Sequence, residues 1–222
     1  MNTPEDKRAD ALMFAAFATA PRGARAHLAI RYRLCPFKAI AEHVPRSGDL
    51  LEFGCGHGLF SIFLAAESAS RRVFGCDIDR AKIAVAEQAA ANLPVGNARF
   101  SAEAQSPFDV DEFDMVVVVD VFYLMARETQ REVIETLVKR VKPGGRLLIK
   151  EMSTTPAWKY RWAIAQAMLA VKLARITMGE TIKLVPPATY CEWLRELGMK
   201  VTEHPLDKGY LHPHHLICAH KP

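Results

Sequence analysis

No charge of one sign dominates this chain: 29 lysines and arginines stand against 25 aspartates and glutamates, a formal charge of +4. The charges are scattered rather than gathered into a block, so nucleic-acid binding is permitted but not indicated. There is no uninterrupted apolar run near the roughly 20 residues that a membrane-spanning helix needs, which argues against a helical integral membrane protein. The five cysteines, Cys35, Cys55, Cys76, Cys191 and Cys218, form no C-x-x-C pair and no zinc spacing with histidine. They read as reduced thiols of a cytoplasmic protein, with no metal site expected. Repeats, low-complexity tracts and linkers are missing too. A mean hydropathy of zero with 24% charged residues excludes disorder, collagen and coiled coil, and 222 residues suffice for one domain with a substantial core.

What is present begins with an apolar stretch, Ala11 to Ala20, which follows Lys7 and Arg8 and ends in Ala18-Thr19-Ala20 like a secretory cleavage site. Glu5, Asp6 and Asp10 do not suit an export signal, and an N-terminal amphipathic helix is expected instead. From residue 49 strand-like runs alternate with helical patterns, as in a parallel sheet wrapped by helices. Strands are expected at Asp49 to Phe53, Arg72 to Cys76, Asn97 to Phe100, Phe113 to Val119 and Arg146 to Lys150. The continuously apolar Phe113 to Val119 run predicts the central strand, buried on both faces. Helices are expected from His57 to Glu67, from a cap at Asp79 to about Asn92, and over Val133 to Val141, the last ended by Lys142-Pro143-Gly144-Gly145. Pro156 to Met178 predicts a long inserted helix. Thr189 and Glu192 form a capping box for a helix stopping at Gly198, and Lys200 to Leu206 and His214 to His220 make two last strands.

The run Leu51-Glu52-Phe53-Gly54-Cys55-Gly56-His57-Gly58 falls between the first strand and its helix, at the sheet edge where open α/β folds bind ligands. A dinucleotide fingerprint would need glycine at position 59, where the chain has Leu59. The spacing resembles instead the first motif of the class I S-adenosylmethionine-dependent methyltransferases, acidic-x-G-x-G-x-G, at Glu52, Gly54, Gly56 and Gly58. Phe74 to Asp79 resembles the second motif of that family, Phe100 to Ala104 takes the place of its third, and Phe113 to Val117 with Asp120 to Leu124 resembles the fourth. Val141 to Leu147 is similar to its turn before strand five.

The resemblance covers roughly residues 36 to 150. It implies a Rossmann-like, seven-stranded, mostly parallel sheet with a C-terminal antiparallel hairpin and an inserted helix after strand five. The single domain then divides into a helical cap (1–48), a cofactor-binding core (49–150), an inserted substrate helix (151–185) and a last helix with the hairpin (186–222). The cofactor implied is S-adenosylmethionine, held by Glu52, Gly54, Cys55, Gly56, Gly58, Asp77, Ile78, Glu103, Ala104 and Asp120. Within that set Asp77 would take the ribose hydroxyls and Ile78 would lie against the adenine. A cation of Arg31-Tyr32-Arg33 would meet the methionine carboxylate.

Methyl transfer is an in-line displacement, so the protein mainly supplies alignment and a dry pocket, and a base only where the nucleophile carries a proton. The topology nominates Asp120 to Leu124, Lys150 to Thr155 and Asp207 to His215 as the rim. Catalytic candidates there are His212, His214 and Glu151, with Tyr123, Tyr210, Trp158 and Trp162 as substrate-binding candidates. The basic, tryptophan-bearing insertion favours a small apolar or aromatic acceptor, lipid-like or carrier-presented, with peripheral membrane contact as a further expectation. Position 120 opens Asp120-Val121-Phe122-Tyr123 rather than the Pro-Pro-aromatic run of base-amino methylation, so nucleic acid is not expected. Two alternatives remain open from the residues: a nicotinamide-dependent oxidoreductase, and a non-enzymatic membrane-surface or protein-binding module that retains the cofactor fold.

Overall fold

The computed structural model describes residues 4–103, 108–162, 165 and 185–222. Three helices, α1 (Pro4–Ala16), α2 (Arg22–Leu34) and α3 (Phe37–Ala41), precede β1 (Gly48–Phe53), α4 (Leu59–Glu67), β2 (Arg71–Cys76), α5 (Arg80–Ala91), β3 (Ala98–Ser101) and β4 (Phe113–Val119). A single 3-10 turn, Phe122–Leu124, leads to α6 (Arg127–Lys139), β5 (Val141–Met152), α7 (Pro187–Glu196), β6 (Lys200–Pro205) and β7 (His214–His220).

The seven strands pair in the order β3-β2-β1-β4-β5-β7-β6. The first five are parallel, and β7 runs antiparallel to both β5 and β6. The order reverses between β1 and β4, which leaves a crevice at their carboxyl ends. Alternation divides β4 between two cores. Met115, Val117 and Val119 face α1 to α5, while Val116 and Val118 face α6 and α7. Both faces of β4 are covered, which is why it reads as an unbroken apolar run.

Two local expectations are corrected. Lys142-Pro143-Gly144-Gly145 does not end a helix, since α6 stops at Lys139 and these residues lie inside β5. Gly144 N donates to Lys221 O and Lys221 N donates to Gly145 O, so pairing with the chain end holds them in the sheet, with a register shift against β4. Thr189 likewise makes no capping box, because Pro186 is the N-cap of α7 and Pro187, pre-set for the first helical turn, starts it three residues earlier than a Thr189 cap would. Of the inserted helix, 157–162 is helical; most of the rest lies outside the described residues.

Arg71, at the start of β2, is fully buried. Its guanidinium donates to Pro45 O (2.7 Å), Leu64 O (2.8 Å), Val44 O (3.2 Å) and Glu67 Oε2 (2.6 Å). It thereby ties the end of α4 to the turn that delivers β1. Arg71→Met should cost about 3 to 5 kcal/mol in urea unfolding, because three carbonyls lose their donor and the buried Glu67 carboxylate keeps only the exposed Arg46. A loss under about 1 kcal/mol would mean that water replaces them.

Candidate active site

The glycine loop is pinned before any ligand arrives. Cys76 O accepts from both Gly54 N (2.8 Å) and Cys55 N (3.0 Å), fixing the loop to the end of β2. Asp77 accepts from Gly56 N through Oδ2 at 2.8 Å and from Asp79 N through Oδ1 at 2.9 Å. Asp79, not Asp77, caps α5, accepting from Ala81 N and Lys82 N. Each Asp77 oxygen therefore keeps a lone pair for a further donor. Glu52 is buried behind the loop, where its Oε2 accepts from Ser61 N (2.9 Å) and Ser61 Oγ (2.5 Å) in the first turn of α4. Burial pushes its carboxyl up to about 7, against the opposing pull of those bonds.

The glycines answer to different constraints. A Cβ on Gly58 (φ +77°) would sit 2.8 Å from Ala86 and the Phe100 ring, and one on Gly54 2.5 Å from Val121. Packing within the protein demands both. On Gly56 (φ +56°) a Cβ would meet nothing nearer than Lys82 at 4.0 Å, beside a cavity that Gly56 lines. This cavity, of about 500 Å³, is also bounded by Glu52, Gly54, Cys55, His57, Asp77, Asp120, Val121, Tyr123 and Leu124, and by His27, Leu28 and Arg31 of α2. Gly58, Ile78 and Glu103 do not line it. Ile78 stands 86% exposed just beyond Asp77, Glu103 is exposed after β3, and Ala104 lies outside the described residues.

A second cavity of about 260 Å³ adjoins the first. The two share His27, Arg31, Asp120 and Tyr123, and the second adds Ile30, Leu34, Cys35, Lys150, Met152, His212 and His214. At the junction Asp120, held at φ +58°, bonds Lys150 Nζ at 2.5 Å and lies 3.9 Å from Arg31 Nη2. Burial works against every charge here, but Lys150 and Arg31 outweigh it and hold the Asp120 carboxyl below its usual range. In return, Asp120 keeps Lys150 and Arg31 raised despite their burial. Burial and the Asp120 charge push Tyr123 up to about 12, so its phenol stays protonated. Sequence reasoning placed Lys150 only on the rim and did not pair it with Asp120. Two oppositely charged residues at the ends of neighbouring strands were the available signal.

Three expectations change with this geometry. Glu151 lines neither cavity, because alternation along β5 sends it to the face opposite Lys150. Its Oε1 accepts from Val121 N (2.9 Å) and Phe122 N (2.8 Å), so it clamps the turn after β4 instead of meeting an acceptor. His214 does line the second cavity, but its Nε2 donates to Leu34 O at 2.8 Å, and burial with the Lys150 charge lowers its pKa to about 3. An imidazole so reluctant to hold a proton is a poor base and cannot give a rate limb near its ordinary value. His212, with a freer ring, is lowered too, by burial and then by Lys150. Trp158 (61% exposed), Trp162 (48%) and the half-buried Tyr210 line neither cavity. Tyr210 packs its ring 5.2 Å from that of His214. Lys159 of the insertion bonds Asp207 through its backbone oxygen (2.7 Å) and carboxylate (2.8 Å), joining the insertion to the loop before β7.

Residues 51–147 match the family model of a methyltransferase domain. That segment is similar to methyltransferase domains, in keeping with the class I S-adenosylmethionine-dependent family that the glycine-loop motifs resemble. The domain is 27% identical over 186 residues to a demethylmenaquinone methyltransferase of Clavibacter sepedonicus, covering 78% of this chain and 73% of that protein. It is 32% identical over 148 residues to a mitochondrial ubiquinone biosynthesis O-methyltransferase of Schizosaccharomyces pombe, covering 64% and 47%. The chain thus spans about half the length of some curated relatives it matches. Among solved structures, magnesium protoporphyrin IX methyltransferase from Synechocystis shares the fold with a TM-score of 0.61 at 19% identity, covering 83% of this chain and 78% of that one.

S-adenosylmethionine is the cofactor that the methyltransferase match supports, and the first cavity, with the residues beside it, has groups that fit it. Asp77 has lone pairs for vicinal hydroxyls, Gly56 leaves the wall clear of a Cβ, Arg31 offers a guanidinium to a carboxylate, and the exposed Ile78 offers an apolar face to a flat ring. Gly56→Ala should therefore weaken S-adenosylhomocysteine binding in calorimetry roughly tenfold with a small loss of thermal stability, the left-handed backbone costing about 1 kcal/mol. Gly58→Ala should lower the melting temperature the more, through its contact with Phe100. The reverse ranking would remove Gly56 from the cofactor wall.

Glu151 has a pH signature of its own. Burial first and the Asp120 charge second raise its carboxyl above the ordinary 4.5, so the folded protein keeps a proton that the unfolded chain releases. That contribution is complete below pH 4.5 and is lost as pH rises through neutrality. Glu151→Gln preserves the acceptor for Val121 and Phe122 and cannot ionise. Urea unfolding between pH 5 and 8 should show a shallower loss of stability with pH in the variant; a parallel loss would contradict the assignment.

Proposed function

We propose that the chain transfers the methyl group of S-adenosylmethionine to a hydroxyl of a small, largely apolar, phenolic or quinol-type acceptor. The observation that carries this is the meeting of the two cavities at Arg31, Asp120 and Tyr123. The names of the two curated relatives, a demethylmenaquinone methyltransferase and a ubiquinone biosynthesis O-methyltransferase, support the acceptor class. So does the second cavity, whose wall includes Ile30, Leu34 and Met152. Exposed Leu34, Leu124 and Leu211 surround the region, in keeping with an apolar acceptor drawn from a lipid surface or a carrier. Among the described residues no helix is long and apolar enough to cross a membrane.

In this reading Glu52 braces the loop from behind, Asp77 holds the ribose through the lone pairs left over from Gly56 and Asp79, and Arg31 takes the methionine carboxylate. When bound, S-adenosylmethionine supplies an electrophilic methyl on a positively charged sulfur. The side chains around the junction hold the acceptor oxygen in line and exclude water, the term that dominates such a displacement. Tyr123, protonated at neutral pH, donates to the acceptor. His212, neutral because of burial and Lys150, takes the hydroxyl proton as the oxygen becomes a nucleophile. His214 orients the wall by anchoring to Leu34 O.

Turnover of a soluble dihydroxybenzene or hydroquinone, followed with labelled methyl donor, tests this reading. Asp77→Ala should weaken S-adenosylhomocysteine binding by about 1 to 3 kcal/mol. His212→Gln should lower kcat about 10²-fold and abolish the ascending limb of the rate profile, which in the wild type lies below pH 6.5. Full rate with an unchanged profile would leave methyl transfer resting on alignment alone. Failure of every such acceptor alongside intact cofactor binding would exclude the acceptor class.

A further inference from the structure

His43 lies in the turn after α3, His204 on the edge strand β6 and Cys218 on β7. All three are half-buried, and one donor atom from each falls within 4.8 Å of the other two. Cys218 Sγ is 3.8 Å from His43 Nδ1, and the two imidazole rings are 4.6 Å apart between centroids. We propose that these residues form a binding site for a borderline-soft divalent metal ion of the zinc class, which staples the N-terminal cap to the C-terminal hairpin.

Two imidazoles and a thiol are the donor set such ions prefer. A tetrahedral zinc holds nitrogen and sulfur donors roughly 3.3 to 3.8 Å apart, given bonds of about 2.0 to 2.3 Å. The His43 to Cys218 separation already lies at the edge of that range, and the third donor needs to move by only about 1 Å. Thr202 Oγ1, 3.3 Å from His204 Nε2, supplies the kind of outer contact that orients a ligating ring. The charged groups facing His43 are Glu42 and Arg146, of opposite sign. As the metal–sulfur bond forms, the thiol gives its proton to solvent. Three protein donors leave the fourth position to water.

The site lies away from the sheet rim. Cys218 is four positions along β7 from His214, about 13 Å at the usual rise. It nevertheless bridges the two segments that wall the second cavity: the cap bearing Arg31 and Leu34, and the hairpin whose loop bears His212. A bound ion fastens those walls from behind.

The test is titration of the metal-free full chain with zinc against a competing chromophoric chelator, repeated with cobalt for its spectrum. The wild type should bind one zinc per chain, gain melting temperature, and with cobalt show a thiolate charge-transfer band. Cys218→Ala should lose that band, and both Cys218→Ala and His204→Gln should weaken zinc binding on the order of 100-fold. His57→Gln, at a separate imidazole pair with His27, whose rings are 5.4 Å apart, should leave zinc affinity unchanged. His204 is on an edge strand, so its variant remains informative if Cys218→Ala fails to fold. Zinc affinity equal to wild type in His204→Gln, or a cobalt complex without the thiolate band, overturns the proposal.

Discussion

The ion pair between Asp120 and Lys150, buried where the two cavities meet, adds to burial in setting the protonation of its neighbours. A charge removed from water costs several kcal/mol unless it is paired, and here the pair closes over the ends of β4 and β5, with Arg31 reaching in from α2. Burial first, and then the charge of Lys150, keeps His212 and His214 neutral. Burial first, and then the charge of Asp120, makes Tyr123 and Glu151 hold their protons more tightly. A second cavity walled by Asp120, Arg31, Lys150 and neutral imidazoles is suited to positioning an acceptor beside a sulfonium, and less suited to strong base chemistry.

That pair stands in a frame already made rigid by backbone contacts. The loop after β1 hangs from Cys76 O and from Asp77, and Glu52 ties β1 to the first turn of α4. Such a floor needs little reorganisation when a ligand enters, so little binding energy is lost to ordering it. Glu151 performs the same service on the opposite face, holding Val121 and Phe122 so that Tyr123 stays at the junction.

The outer wall is built from the two ends of the chain. His214 of β7 bonds Leu34 O at the end of α2, and Lys159 ties the insertion to Asp207. The His43, His204 and Cys218 cluster joins the same two ends from behind. In the proposed reading, acceptor access depends on how firmly cap and hairpin are held together, a property separate from the glycine-loop floor.

The amino-acid sequence by itself determined the sheet and the cofactor loop, because both rest on local patterns: glycine spacing after an apolar run, a doubly buried β4, the Asp79 cap and the paired last strands. Its local punctuation misled where distant partners intervened, as at Lys142 to Gly145, drawn into β5 by Lys221. The roles at the junction were decided only in three dimensions. Whether Glu151 faces an acceptor or the back of a turn depends on alternation relative to a neighbour 30 residues away in sequence. The proton affinity of His214 depends on burial beneath α2 and on the charge of Lys150. No sequence window contains His43, His204 and Cys218 together, and a sequence reading expects no metal from them. Local spacing specifies elements, whereas charge, burial and donor geometry belong to residues that meet only when the chain closes on itself.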